Sequence, residues 1–315
     1  MSKANFPNMF VVGVAKAGTT SLYHYMKQHP EIYLSPIKET HYFSTDIKVE
    51  DFSSLYKTHT FLDLDSYFSQ KPYQELALSF IRKEEHYKAL FEDRTEEKII
   101  GECSPSYLYS ETALKNIQAY NPDAKIIVSL RNPITRSFSH YLMALRLGHT
   151  KDSFITAFEK DRNAPNKGWG KTELFYDLSM YASQLKRLYA LFPSEQIKII
   201  LFEELINKTT ETMQECFDFL GVKPFQIVET EAHNTATVPK NKAFNHFIVK
   251  TGLKKTAANL LGKGMKRKAG SLIYSKNNPI KISKEEEAFL KTIYADDIRE
   301  TAEIIQKDLS VWLKK

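Results

Sequence analysis

A short apolar, β-branched run, Phe10 to Val14, feeds directly into a segment with glycines five apart, Gly13 and Gly18, and then into Ser21 to Gln28, which has helical character. A strand that turns through glycines into a helix points backbone N–H groups and the positive end of a helix at one spot, which makes a cradle for a phosphate. That order also commits the chain to an α/β fold. The nucleotide-loop pattern G-x-x-x-x-G-K-[ST] is nearly met, with Gly13, Gly18 and Thr20 in place. Thr19 stands where the lysine belongs, and the lysine lies three residues earlier, at Lys16.

The rest of the chain alternates in the same way. Ile32 to Leu34 reads as a strand after His29-Pro30 ends the first helix, because a residue before proline is pushed out of the α region. Lys98 to Glu102 is a further short strand, Ser110 to Pro122 a helix, and Lys125 to Leu130 the clearest buried strand. A helix starts at Pro133 and stops near Gly148, and Ser179 to Phe192 is amphipathic. Gln196 to Leu205 is a strand running into a turn, Thr209 to Leu220 a helix closed by Gly221, and Ser283 to Leu313 a long terminal helix. The pattern predicts a three-layer, P-loop-like α/β fold with a mostly parallel central sheet flanked by helices. With no internal repeat and no low-complexity linker, residues 1–315 read as a single domain. Residues 47–98, polar and aromatic with one helix at Tyr87 to Phe91, read as a variable insertion.

A chain of 315 residues with 42% hydrophobic content can fill a core. Two cysteines, Cys103 and Cys216, fit neither a disulfide framework nor a zinc site, which favours a reducing compartment. The first apolar run is too short for a signal peptide, and no stretch reaches the ~20 apolar residues of a membrane span, so a cytoplasmic protein is expected. Charge is uneven. Between Glu231 and Glu285 no acidic residue occurs, while twelve lysines and arginines do. That exceeds the net +6 of the whole chain, so the remainder is net negative. The basic segment 232–284 suits a polyanionic acceptor, a lid over a nucleotide or an anionic membrane surface, and it also fits a solvated face. No nucleic-acid partner is expected.

In a P-loop ATPase an acidic residue at the end of a second strand helps to hold Mg²⁺. Here the clearest second strand ends in Arg131. An arginine repels a metal ion and attracts another phosphate, which points to a nucleotide with phosphates at two separate places and no bound metal. A sulfuryl group carries less negative charge than a phosphoryl group, so its transfer can dispense with a metal clamp, and Lys16 alone can neutralise the leaving phosphate. From residue types alone, a P-loop kinase or NTPase and a non-catalytic nucleotide- or polyanion-binding protein stay open.

The loop "GVAKAGTTSLYHYMKQHP", the following "KETHYF" and "SLRNPITRSFSHY" together resemble the PAPS-dependent sulfotransferase family, in particular its heparan sulfate sulfotransferases and their bacterial relatives. "GECSPSYL", "YASQLKRLYALFPSEQIKIILFEEL", "FDFLGV" and "KDLSVWL" resemble later segments of the same family. The resemblance implies PAPS as sulfuryl donor, with Lys16, Ala17, Gly18, Thr19, Thr20 and Ser21 around its 5′-phosphosulfate and Arg131 and Ser139 on its 3′-phosphate. It implies Glu39 as catalytic base, with His41 two residues on, and transfer to a hydroxyl, ahead of an amine, on a carbohydrate or glycoconjugate. One departure stands out. Where the heparan sulfate enzymes carry a lysine before the Ser/Thr-Pro of this region, the chain has Cys103, so that role is missing or taken by another residue such as Lys38. His41 equally fits a hydrogen-bonded structural histidine, and Trp169 equally fits a loop anchor or a stacking platform.

Overall fold

The computed structural model describes residues 7–60, 63–229, 238–251, 253, 273–275 and 280–314. In chain order the strands are β1 (Met9–Gly13), β2 (Ile32–Leu34), β3 (Ile37–Glu39), β4 (Leu76–Leu78), β5 (Ile99–Cys103), β6 (Lys125–Leu130), β7 (Ile197–Leu201), β8 (Val238–Pro239) and β9 (Tyr274–Ser275). The helices are α1 (Thr19–Lys27), α2 (Ser54–Thr60), α3 (Leu64–Phe68), α4 (Glu84–Ala89), α5 (Ala113–Tyr120), α6 (Pro133–Leu147), α7 (Phe154–Arg162) and α8 (Tyr181–Tyr189), followed by α9 (Phe202–Asn207), α10 (Thr209–Leu220), α11 (Lys242–Lys250) and α12 (Lys284–Ile305).

Five strands form one parallel sheet in the order β2-β5-β1-β6-β7. Its strands are apolar on both faces, as a parallel sheet covered by helices requires. Met9 and Val11 of β1, with Ile127 of β6, pack against Leu22 and Met26 of α1 and Met213 and Phe217 of α10. Phe10 and Val12, with Ile126, Val128 and Leu130, pack on the opposite face with Leu114 of α5, Tyr141 of α6, Leu185 of α8 and Tyr294 of α12. The two side-chain sets alternate with period two, so the chain makes three layers around two apolar seams.

Most sequence-derived boundaries hold within a residue or two; α5 starts three residues later than expected, at Ala113, α8 ends three earlier, at Tyr189, and three further differences follow. The turn expected after β7 is helical, α9, and the helix expected at Tyr87 starts three residues earlier, at Glu84. The long terminal helix ends at Ile305, not Leu313, because Gln306 takes a left-handed conformation (φ 51°). The chain then reverses, and Leu309 and Trp312, which a continued helix would carry away from the body, are buried. Residues 47–98 hold more order than one helix: β4 pairs in parallel with β3, placing Leu78 opposite Glu39. Most of the basic segment 232–284 lies outside the described residues.

β1 and β6 release their loops at the carboxyl edge of the five-stranded sheet, β3 pairs with β4 in a separate two-stranded sheet, and Gly18 is the tightest point of the β1 loop. It takes φ 85° as the N-cap of α1, and an added Cβ would stand 2.9 Å from Phe202 Cδ2 and 3.1 Å from Leu205 Cδ2. Gly18→Ala is expected to cost about 1–3 kcal/mol in chemical denaturation, while Gly168→Ala, which meets only the flexible Lys171 side chain, stays within about 0.5 kcal/mol.

Candidate active site

Three consecutive loop carbonyls are each taken by a donor from β6 or α6. Ser129 donates its hydroxyl to Ala17 O, Arg131 Nη1 donates to Lys16 O at 3.1 Å, and Arg136 Nη1 donates to Ala15 O at 3.3 Å. Val14 N donates to Ser129 O at 2.8 Å, tying the strand end to the same neighbour. With these carbonyls turned back into the protein, the opposite side of the loop is left to N–H groups. The first-turn amides of Thr19, Thr20 and Ser21 add to them, since they have no partner inside the helix and no side chain caps α1. Lys16 itself sits at φ 72°, a left-handed conformation uncommon for a residue with a side chain. Ala17 and Thr19 are buried, while Lys16, Gly18, Thr20 and Ser21 are half-buried.

Arg131 leaves the end of β6 and turns across the loop. Its guanidinium lies 4.4 Å from the centre of the Phe202 ring, and its Nε donates to Thr135 Oγ1 at 3.0 Å. Ser139 lies two turns along α6, half-buried, on the side that also carries Met143 and Arg146 at helical spacing. Lys16 Nζ reaches that side, 3.7 Å from Met143 Sδ. The loop, Arg131 and the Ser139 stripe are therefore one surface. Lys16, Arg131, Arg136 and Arg146 make no ion pair within 4.0 Å among the described residues, and Arg136 is fully buried. Burial and then the charges of Arg146, Arg131 and Arg136 push Lys16 down to about 8, against the opposing pull of Glu39.

Glu39 is the last residue of β3, half-buried, and its backbone carbonyl accepts from Ser79 N at 2.8 Å. Lys38 Nζ pairs with its Oε1, and His41 Nε2 lies 3.7 Å from its Oε2. Lys38 is buried and close enough to Cys103 for its charge to act on the thiol, so it occupies the neighbourhood of the departure from the family pattern. Cys103 is itself buried, and burial holds its thiol well above the usual range, so it is not a nucleophile. His41 is buried, takes φ 50°, shares a hydrogen bond of 2.7 Å between Nδ1 and Ser106 Oγ, and stacks on Phe80 at 4.3 Å. Burial, then Arg82 and Lys38, lower its pKa to about 3, so the ring is neutral near pH 7. Trp169 stands 5.7 Å from the same ring.

Three contributors were not singled out in the sequence. Arg82 donates to the carbonyls of His41 and Ile47, each at 2.7 Å, and to Ile81 O at 2.8 Å. It lies within residues 47–98, whose composition says nothing of such a role. Arg136 is the second arginine of "RNPITR", five residues after Arg131, and that spacing was its one available signal. Glu102, in β5, is a fully buried carboxyl group whose four hydroxyl partners come from three separate segments.

The sulfotransferase family model matches residues 7–226. The chain belongs to the sulfotransferase family. It is 25% identical to human carbohydrate sulfotransferase 15 over 69% of its own length and 44% of the relative's, and 25% identical to human heparan sulfate glucosamine 3-O-sulfotransferase 6 over 70% and 54%. It thus spans about half the length of the curated relatives it matches. A sulfotransferase crystal structure from Alicyclobacillus acidocaldarius is similar over nearly the whole chain, covering 98% of this chain and 99% of that one with TM-score 0.70 and 27% identity. No helix among the described residues is long and apolar enough to cross a membrane.

The cation cluster has a measurable cost. Because Lys16 loses its proton at about 8 in the folded chain and at 10.5 when unfolded, the unfolded state holds more protons between those values and stability rises with pH across that window. Lys16→Met is expected to stabilise the ligand-free protein at pH 7 by about 1–3 kcal/mol, with the gain shrinking from pH 8 to 10 in thermal melts.

Proposed function

We propose that the protein transfers a sulfuryl group from PAPS to a carbohydrate hydroxyl by in-line displacement. The observation that carries this reading is the shared surface of loop N–H groups, Lys16 and Arg131, with Glu39 near enough for its charge to act on Lys16. The 5′-phosphosulfate lies on Lys16 and the amides of Gly18, Thr19, Thr20 and Ser21, beside Ala17, whose own N–H goes to Val14 O, and the 3′-phosphate on Arg131 and Ser139. Glu39 accepts the acceptor hydroxyl's proton as that oxygen bonds to sulfur, and the bond from sulfur to the phosphate oxygen breaks. Lys16 meets the charge that appears on the leaving phosphate, giving adenosine 3′,5′-bisphosphate. His41, neutral and stacked, orients Glu39 and does not supply a charge. Lys38 takes a place beside Glu39, to which it is ion-paired.

The acceptor class is supported by the named relatives, which act on carbohydrate and heparan sulfate glucosamine. Trp169, half-buried and 5.7 Å from the His41 ring, borders the Glu39–His41 side and gives a sugar ring an aromatic face to lie on. Exposed Phe244 and Phe247 on α11, among lysines, support a contact role for that helix. A cytoplasmic setting is supported by Cys103 and Cys216 both being buried free thiols.

Calorimetry tests the donor. Adenosine 3′,5′-bisphosphate is expected to bind without Mg²⁺ and more tightly than ADP or ATP; preference for ATP with Mg²⁺ sinks the reading in favour of an NTPase. Arg131→Ala should weaken the bisphosphate about 10- to 100-fold while AMP changes little, since a charge-assisted phosphate contact of about 1.5–3 kcal/mol is lost. Equal losses for both nucleotides would remove Arg131 from the 3′-phosphate. With PAPS and a glycan acceptor, Glu39→Gln should lower kcat about 10²- to 10⁴-fold and leave bisphosphate affinity intact. A variant that binds and turns over like the parent takes Glu39 out of the chemistry.

A further inference from the structure

Behind the segment from Glu39 to His41 lies Glu102, fully buried on β5. Its carboxylate receives the hydroxyls of Thr40 and Tyr107, of Tyr87 at 3.0 Å and of Ser104 at 3.4 Å. No cation forms an ion pair with it among the described residues. Three of those hydroxyl oxygens accept in turn from consecutive backbone amides. Ser104 Oγ accepts from His41 N at 3.1 Å, Thr40 Oγ1 from Tyr42 N at 3.4 Å, and Tyr107 Oη from Phe43 N at 3.4 Å.

A hydroxyl has one proton to give. When that proton points at a carboxylate, the oxygen's lone pairs face the amide, so a single anion fixes the polarity of three hydroxyls and through them three amides. We propose that Glu102 is a positioning residue whose carboxylate, acting through Ser104, Thr40 and Tyr107, holds the backbone of residues 41–43 and so fixes where Glu39 and His41 stand. The proposal rests on the reading of Glu39 as the base. Phe43 is buried and Arg82 grips the His41 carbonyl from the other side, so the segment is held at both its amides and its carbonyls.

Protonation reverses one link. A carboxylic acid must donate its own proton to one of the four hydroxyls, which then has to send its proton elsewhere; where that hydroxyl is Ser104, Thr40 or Tyr107, reorienting it weakens the bond from the amide it serves. Burial raises Glu102 to about 7, against the lowering effect of the hydrogen bonds from Thr40, Tyr107, Tyr87 and Ser104. The groups facing it keep their protons through this range: burial raises Tyr87 and Tyr107 well above the usual tyrosine range, Cys103 well above that of a thiol and Tyr120 to about 12, while His41 stays neutral. The network therefore turns on one titration near neutrality.

The test compares the full-length wild type with Glu102→Gln by amide hydrogen exchange at pH 6 and pH 8. A glutamine amide nitrogen donates, so it cannot accept from all the hydroxyls that the carboxylate serves. In the wild type, protection of amides 41–43 relative to the β6 amides should fall about tenfold or more from pH 8 to pH 6; in the variant it should be low at both. Transfer from PAPS should drop about 10- to 100-fold in kcat at pH 8, with bisphosphate affinity unchanged within about twofold. Wild-type protection of amides 41–43 in the variant, or an unchanged kcat and pH profile, overturns the proposal. The exchange measurement needs no substrate, so it decides the network even if the sulfotransferase reading fails. Should Glu102→Gln not fold, Tyr107→Phe takes its place. It is expected to expose the Phe43 amide and to lower kcat by at least about threefold, and no change in that amide overturns the proposal.

Discussion

Everything at the sheet's carboxyl edge depends on the way the first loop is held by its carbonyls. A backbone segment has as many acceptors as donors, and an anion site needs the acceptors turned away. Here Ser129, Arg131 and Arg136 take the carbonyls of Ala17, Lys16 and Ala15 in succession. Two of these donors are the guanidinium groups of one strand end and the helix that follows it. The segment "SLRNPITR" is thus both neighbour and clamp, and Gly18 supplies the left-handed step that lets α1 start behind it.

The second loop, from Glu39 to Phe43, is held on the same principle by different chemistry. Its carbonyls go to Arg82 and to the amides of Ser79 and Ile81, and its amides go to hydroxyls aligned by Glu102. A solvent-exposed arginine whose guanidinium reaches in to backbone carbonyls and a buried carboxylate hold it without forming an ion pair with each other. Each is satisfied by backbone or hydroxyl partners, so neither leaves a polar group unpaired in the interior. Geometry set by networks of this kind is stiff, which a base that must meet one particular hydroxyl requires.

The layers and strand identities were legible because they follow from local rules. β1 and β6 are apolar runs too short for helices, Pro133 and Gly148 bracket α6, and Gly221 closes α10. The glycine loop and the displaced lysine were legible as a motif, and Arg131 was legible because it occupies a strand end where a metal-binding carboxylate was the alternative. Arg82 and Glu102 were not. Their partners lie up to 62 residues away in sequence, and nothing in "FIRKE" or "GECSP" marks a residue that will hydrogen-bond to a distant loop. The reversal at Gln306 escaped for a related reason: glutamine is a good helix former, and burial of Trp312 overrides that preference.

The charge pattern connects the fold to its ligand. Folding normally pairs a buried cation with a carboxylate, because an uncompensated charge in the interior is expensive. Around the loop four cations gather without an ion pair among the described residues, and burial first, then the charges of Arg146, Arg131 and Arg136, lower the pKa of Lys16. Carboxylates are close by: Glu203 is near enough for its charge to act on Arg131, yet it accepts its hydrogen bond from Asn132 N at 3.1 Å. The cluster is therefore incomplete as a folded structure and complete only with an anion in it. Binding and stability are linked through that deficit, so a doubly phosphorylated nucleotide stabilises the protein by supplying the counter-charge that the sequence withholds. A site assembled this way favours the ligand with the most negative charge at two fixed places.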